Sequence, residues 1–169
     1  MIVRDARRDE LAEVGEIRVA AYVADGFMSP DSGYAPTLRA LGGNGHGKIL
    51  VAVDEGDGRV VGTVTLQFWP HGGEIGVQQD EAEIRALAVA PGEQGRGTGS
   101  ALLRAVIERA AQAGVSRLLL LTQPEMLAAQ HMYRREGFLR LPDRDCSPVE
   151  GLLLLAYGLP LAANGRPAG

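Results

Sequence analysis

The sequence predicts a mixed α/β fold in a single domain, and three observations carry that expectation. Short runs rich in valine and leucine alternate with stretches whose apolar residues recur at helical spacing. Glycine punctuates nearly every run. The 169 residues contain no internal repeat, and a chain of this length buries about two thirds of the surface it would expose unfolded. The domain is expected to occupy residues 1–161, with AANGRPAG, residues 162–169, as a flexible C-terminal tail.

Residues 1–4 read as a short strand. In DELAEVGEIRVAAYVA the residues Leu11, Val14, Ile17, Ala20 and Ala21 share one helical stripe. GFMSPDSGY is a loop, and APTLRAL a second short helix that GGNGHG stops. KILVAVD and RVVGTVTLQFW, separated by EGDG, form a hairpin, because Asp57-Gly58 tolerates positive φ. A polar connection leads to the strand EAEIRALAV, then a glycine-rich loop and a helix through about Ala113, ended by Gly114. SRLLLLT is an apolar strand. Residues 124–136 repeat the helix grammar, with proline in the first turn and Gly137 just past the last. Residues 138–141 and 151–159 supply the last strands.

Composition removes several function classes. Cys146 is the one cysteine, so no internal disulfide can form, and MIVRDARRDE lacks the apolar core of a secretion signal, so a cytoplasmic location is expected. No apolar run approaches the roughly 20 residues that span a bilayer, so no membrane role is expected. With 17 basic and 21 acidic residues, a net charge of −4 and a pI near 5.4, the chain offers no broad basic face, so no nucleic-acid partner is expected. His46, His71 and His131 lack metal-ligand spacing, and no metal is expected.

The stretch VAPGEQGRGTGSALL, residues 89–103, places four glycines between a strand and a helix. Such a junction leaves main-chain N–H groups without partners at the positive end of the helix dipole, where phosphate suits them best. Gly95, Gly97 and Gly99 allow positive φ and remove the Cβ atoms that would hold a pyrophosphate away. A Walker loop would need lysine where Thr98 stands. A dinucleotide fingerprint would need a third glycine at Ser100 or Leu102, and an acidic residue some 20 positions on, where LLLLTQ has none.

The pattern that does fit is V-x-P-x-x-Q-x-x-G-x-G, met by Val89, Pro91, Gln94, Gly97 and Gly99, and it resembles the acetyl-CoA loop of the GNAT family of N-acetyltransferases. AAQHMYRREGF resembles that family's later helix, with Ala129, Tyr133, Gly137 and Phe138 in the matching places. The order of elements agrees as well, from about residue 2 to 160. The resemblance implies a GNAT fold, with a central, mixed, mostly antiparallel sheet splayed between strands 4 and 5 and flanked by helices. It implies an acetyl-CoA-dependent N-acetyltransferase acting on a primary amine, with acetyl-CoA as co-substrate. The backbone of Leu87, Ala88 and Val89 would bond the pantetheine arm, and the amides of Gln94, Gly95, Arg96, Gly97, Thr98, Gly99 and Ser100 would hold the diphosphate. One departure is Met126, where many members carry an asparagine seven residues before the tyrosine.

Acetyl transfer needs a neutral amine, donors for a developing oxyanion and a proton for the departing thiolate. Freeing a lysine-like amine of its proton at pH 7 costs roughly 4 to 5 kcal/mol, an α-amino group only about 1 kcal/mol. By the resemblance Glu83 is the base, the alternative being a solvated carboxylate at a strand end. Tyr133 is the general acid, the alternative being a packed tyrosine. Asp80 and Glu81 share the base's work or are polar loop. A backbone N–H near Ala88 or Val89 serves the oxyanion. His131, about 200° round the helix from Tyr133, is expected at the surface, and Cys146 has no His-Asp arrangement to make it a nucleophile.

The resemblance places the acceptor beside residues 22–34 and 142–151, with Trp69, Tyr22 and Tyr34 as wall or packing. Glu74, Asp80, Glu81, Asp143 and Asp145 hint at a cationic amine. The partner is thus a small-molecule amine or a peptide amino group. A homodimer is compatible with the family. The rival reading is an acyl-CoA-binding module that senses without turnover.

Overall fold

The computed structural model of the chain describes residues 1–162. Of the expected tail at 162–169, all but Ala162 lies outside the described residues. The elements run β1 (Ile2–Asp5), α1 (Leu11–Ala24), α2 (Ala35–Ala40), β2 (Gly47–Val53), β3 (Val60–Phe68), β4 (Glu81–Val89), α3 (Thr98–Gln112), β5 (Arg117–Thr122), α4 (Leu127–Arg135), β6 (Leu139–Arg140) and β7 (Leu155–Pro160). Single 3-10 turns stand at Arg8–Glu10 and Pro142–Arg144. The strands form a seven-stranded sheet in the order β1-β2-β3-β4-β5-β7-β6. β1–β2, β5–β7 and β6–β7 are antiparallel and β4–β5 is parallel, the mixed α/β sheet that the sequence predicts.

Three local readings are corrected. Helix α4 begins at Leu127, because Met126 N–H bonds Gln123 C=O at 3.1 Å and Leu127 N–H bonds Glu125 C=O at 2.9 Å. Pro124 therefore sits in a turn ahead of the helix. Strand β7 begins at Leu155, since Leu152 N–H closes on Val149 C=O at 3.2 Å and Leu154 bridges to Cys146. On α1, Ala20 is exposed, while Gly15, Arg18 and Val19 join the buried face.

The chain divides into two compact units, Met1–Thr65 with Ala86–Val106, and Leu66–Arg85 with the chain from Ile107 on. In the first, Val14, Ile17 and Ala21 of α1 pack on Val51, Val53, Val60 and Ala88, and Val19 packs on Ala35 and Leu38 of α2. Each valine, leucine or isoleucine among them contributes on the order of 1.5–3 kcal/mol, the alanines less. Gly15 lets α2 come close, for a Cβ there would stand 2.9 Å from Arg39 C=O. Arg18 is buried, and its guanidinium donates to the carbonyls of Leu38 at 3.0 Å and Leu41 at 2.8 Å and to Thr65 Oγ1 at 2.7 Å. It ties α1 to the end of α2 and to β3.

In the second unit Ile75, Leu119 and Ala156 form the core, with Val77, Leu121 and Leu141 against it. The β5–β7 register runs from Arg117 opposite Pro160 to Thr122 opposite Leu155. Gly158 lets Leu141 pack close there, for a Cβ would fall 2.6 Å from Leu141 Cδ1. Glu81, at the start of β4, is buried and accepts from Arg144 and Arg117. Arg144 Nη2 also reaches Gly76 C=O at 3.2 Å, so the ion pair holds the segment before β4 in place.

Candidate functional site

In the first unit, the stretch from Leu87 to Ser100 carries the residues expected to bind a cofactor. Ala86 has φ of 53°, the left-handed region that a residue with a Cβ rarely enters. The parallel register of β4 with β5 runs from Glu81–Arg117 to Ile84–Leu120 and ends two residues before it. Leu87 and Val89 are half-buried and Ala88 is buried in the α1 core. After Ala90, whose N–H bonds Val61 C=O at 2.9 Å, the chain enters the loop.

Gly92, Gly95 and Gly97 have φ of 89°, 79° and 80°, and nothing lies within 4 Å of where a Cβ on any of them would be. Gln94, Gly95, Arg96 and Gly97 are exposed. Helical bonding opens with Ala101 N–H to the C=O of Gly97, the residue just before α3, at 3.0 Å. A helix's first turn leaves its N–H groups without intrahelical acceptors, and here those belong to Thr98, Gly99 and Ser100. The loop thus offers open, donor-rich backbone at a helix start, which fits a diphosphate. Gly99 differs from expectation: it lies inside α3, and the third left-handed glycine of the loop is Gly92.

The helix start is seated by Gly62 of β3. A Cβ there would be 2.9 Å from Leu102 Cδ1, 3.0 Å from Thr98 Cγ2 and 3.1 Å from Ala88 C=O. That close approach buries Thr98. Arg96 is 67% exposed and pairs with Glu93 at 3.2 Å, while Glu93 also takes Arg59 at 2.9 Å. Gln94 Nε2 reaches Asp25 Oδ1 at 3.5 Å.

The second unit carries Glu83 and Tyr133. Glu83 is 2% exposed, so it is no solvated strand-end carboxylate. Gly73 N–H donates to its Oε1 at 2.6 Å. Burial pushes its carboxyl above the usual range and outweighs that hydrogen bond and the charges of Arg85 and Arg144, which act the other way. Arg85 stands two residues on, on the same face of the strand. Its Nη1 lies 3.4 Å from Gln67 Oε1 and its Nη2 3.8 Å from Glu74 Oε2.

Tyr133 is 7% exposed, its ring 5.8 Å from that of Phe138 and 6.2 Å from that of Tyr157. Tyr157 is a residue that sequence reasoning missed. It is fully buried on β7, its hydroxyl donates to Gln130 Oε1 at 3.0 Å and accepts from Arg134 Nη2 at 2.9 Å, and Arg134 and Arg140 both lie over its ring. Gln130 Nε2 in turn donates to the carbonyls of Gln123 and Pro124, each at 3.1 Å, which fixes the turn ahead of α4. Gln130 falls one helical turn before Tyr133, and that i, i+3 spacing was the available signal.

The acidic residues that suggested a cationic acceptor are largely engaged. Glu81 is held by Arg117 and Arg144, Asp145 by both terminal nitrogens of Arg140, and Asp80 by Ser116 Oγ at 2.6 Å. Burial and the charges of Glu74, Glu83 and Asp145 raise the Cys146 thiol, the opposite of what a thiolate nucleophile needs. His131 is exposed. Trp69 and Tyr34 are exposed, and Tyr22 packs against the Val19, Ala35 and Leu38 cluster. Among the described residues no group of three or more His, Cys, Asp or Glu side chains is placed to hold a metal ion, and no helix is long and apolar enough to cross a membrane.

The model of the Acetyltransferase (GNAT) family matches residues 12–138. Mycothiol acetyltransferase of Pseudarthrobacter chlorophenolicus is 37% identical over 92 residues, 54% of this chain and 27% of that protein. L-2,4-diaminobutyric acid acetyltransferase of Nocardia farcinica is 36% identical over 89 residues, 50% of this chain and 43% of that protein. The chain thus spans about a quarter and under half of the lengths of these curated relatives. The structure of yncA from Salmonella typhimurium, solved with its cofactor acetyl-CoA, superposes with a TM-score of 0.72 at 19% identity, covering 99% of this chain and 98% of that one, which shows a shared fold.

Proposed function

Because the chain belongs to the GNAT acetyltransferase family, we propose that it is an N-acetyltransferase that moves an acetyl group from acetyl-CoA to the primary amine of a small molecule or peptide. The observation that carries this reading is the loop from Gln94 to Ser100, with two left-handed glycines facing open space at the start of α3. The cofactor, when bound, supplies an acetyl group activated as a thioester.

The chain's own residues divide the work. The main-chain N–H groups of Gln94, Gly95, Arg96, Gly97, Thr98, Gly99 and Ser100 hold the diphosphate, and those of Leu87, Ala88 and Val89 bond the pantetheine arm and the developing oxyanion. Arg96, exposed and lightly paired, adds charge beside the phosphates. Glu83 takes the proton of the acceptor ammonium on its carboxylate, directly or through water. Support for that role comes from its burial, which raises its proton affinity toward that of the amine. Tyr133 gives its hydroxyl proton to the departing sulfur, its ring held by Phe138 and Tyr157.

The test is release of free CoA thiol from acetyl-CoA across a panel of primary amines. Thiol release that depends on both an amine and intact Glu83 is the expected result. Tight binding of CoA with no release by any amine would replace transfer by the sensing role.

A further inference from the structure

The arginines of the second unit are not alike. Arg140 grips both oxygens of Asp145 at 2.7 and 2.8 Å, and Arg144 grips both oxygens of Glu81 at 2.7 and 3.0 Å. Arg85 is as withdrawn from solvent as they are, its side chain 17% exposed, yet its two polar contacts are long: the Gln67 amide oxygen at 3.4 Å and the Glu74 carboxylate at 3.8 Å. Glu74 is itself 46% exposed, so this carboxylate is a weak and displaceable partner. A guanidinium presents five donors in a flat fork that suits a carboxylate, and a half-buried one held by such contacts has that capacity to spare.

Its position gives the capacity a use. Arg85 and Glu83 both close around Gly73. A Cβ on Gly73 would stand 2.9 Å from Arg85 Cζ, 3.0 Å from its Nε and 3.2 Å from Glu83 Oε1. The missing side chain of Gly73 is what lets the Arg85 guanidinium and Glu83 Oε1 come this close, so a proton acceptor and a carboxylate receptor stand side by side. A molecule that brings an amine to Glu83 and a carboxylate to Arg85 carries the two groups a few bonds apart.

We infer that Arg85 receives the carboxylate of the acceptor, and that the acceptor is an amino acid or an amine of the same build, with the carboxylate a few bonds from the nitrogen to be acetylated. This rests on the acetyltransferase reading for what happens to the amine, but the recognition itself is measured without turnover. Gln67 steadies one edge of the guanidinium, and Glu74 yields its place when the carboxylate arrives.

The experiment is calorimetric titration of the full chain with L-alanine, L-lysine and L-2,4-diaminobutyric acid, each beside its carboxamide. At least one free acid is expected to bind tenfold or more tightly than its amide, and Arg85→Gln to erase that difference. Equal binding of acid and amide, no binding of any acid, or a preference that survives Arg85→Gln in a folded variant would overturn the inference. An acid preference without thiol release would count against acetyl transfer alone, and thiol release without an acid preference against Arg85 alone.

Discussion

The carboxylate of Glu81 takes two hydrogen bonds from one guanidinium, that of Arg144, at 2.7 and 3.0 Å, and a third from Arg117 Nε at 3.0 Å. Through this arrangement the 3-10 turn at Pro142–Arg144 and the start of β5 both fasten the first residue of β4, two positions ahead of Glu83. Removing one partner from a buried ion pair leaves an uncompensated charge and costs several kcal/mol. Glu81→Ala is therefore expected to lower the free energy of unfolding by about 3 kcal/mol, read from urea denaturation. A loss below about 1 kcal/mol would mean that the pair is no more than a surface contact.

Glu83 has the reverse balance. Burial raises its carboxyl pKa, so the folded state holds the proton more firmly than the unfolded chain does. Whatever stability Glu83 adds is present below the unfolded value and is lost as pH rises through the folded value. Glu83→Gln, which keeps an oxygen for Gly73 N–H, should therefore melt at or above the native temperature at pH 8, with the gain vanishing toward pH 4. Its activity should fall at the same time, more for a lysine-like amine than for an α-amino one. A variant that melts lower at pH 8 than at pH 4, relative to the native chain, would contradict a buried, strained carboxylate.

Tyr133→Phe keeps the ring that packs between Phe138 and Tyr157 and removes the hydroxyl. The expected result is a loss in kcat of roughly 10²-fold with little change in KM for acetyl-CoA. Steady-state kinetics decides it, and unchanged turnover would take the hydroxyl out of the reaction.

Gly97 sits at φ of 80° immediately before α3. Alanine there is forced into the left-handed region at a cost of about 1–2 kcal/mol, and its methyl group would enter the space above the loop. Gly97→Ala should raise the KM for acetyl-CoA by tenfold or more while leaving the acceptor KM nearly unchanged. Equal effects on both substrates would show that the loop serves the fold alone.

Acid lability provides a test away from the site. Glu10 accepts both terminal nitrogens of Arg4 and the N–H of Arg7, and the Arg4 hydrogen bonds bring its pKa down to about 2. Such a depressed carboxyl adds stability above its unfolded value that is lost as pH falls toward the folded one. Glu10→Gln should flatten the decline in melting temperature between about pH 4.5 and pH 2. A decline identical to the native one would remove Glu10 from it.

The local chemistry of the loop was legible because its function is written in backbone. Glycines at set spacing before an apolar helical stripe announce positive φ and orphan N–H groups without any tertiary information, and Gly95 and Gly97 adopt that conformation. Gly99 was misread because a glycine in the first turn of a helix looks the same in sequence as one in the loop before it. The α4 boundary failed for a similar reason: Pro124 is as compatible with a tight turn as with a helical first turn, and the side chain of Gln130, seven residues away from Gln123, settles the choice.

By itself the sequence determined the element order, the mixed α/β class and the phosphate-ready loop, since periodicity, glycine spacing and helix-start chemistry act between residues close along the chain. The tertiary structure alone decided which charges remain available. Glu81 and Asp145 are neutralised by arginines, Glu83 is buried with one amide hydrogen bond and no arginine among the described residues in contact with its oxygens, and Arg85 keeps donors to spare. Partners such as Glu81 and Arg144 lie 63 positions apart. Charges so distant meet only when the sheet sets its register, and burial then fixes the strength of each pair.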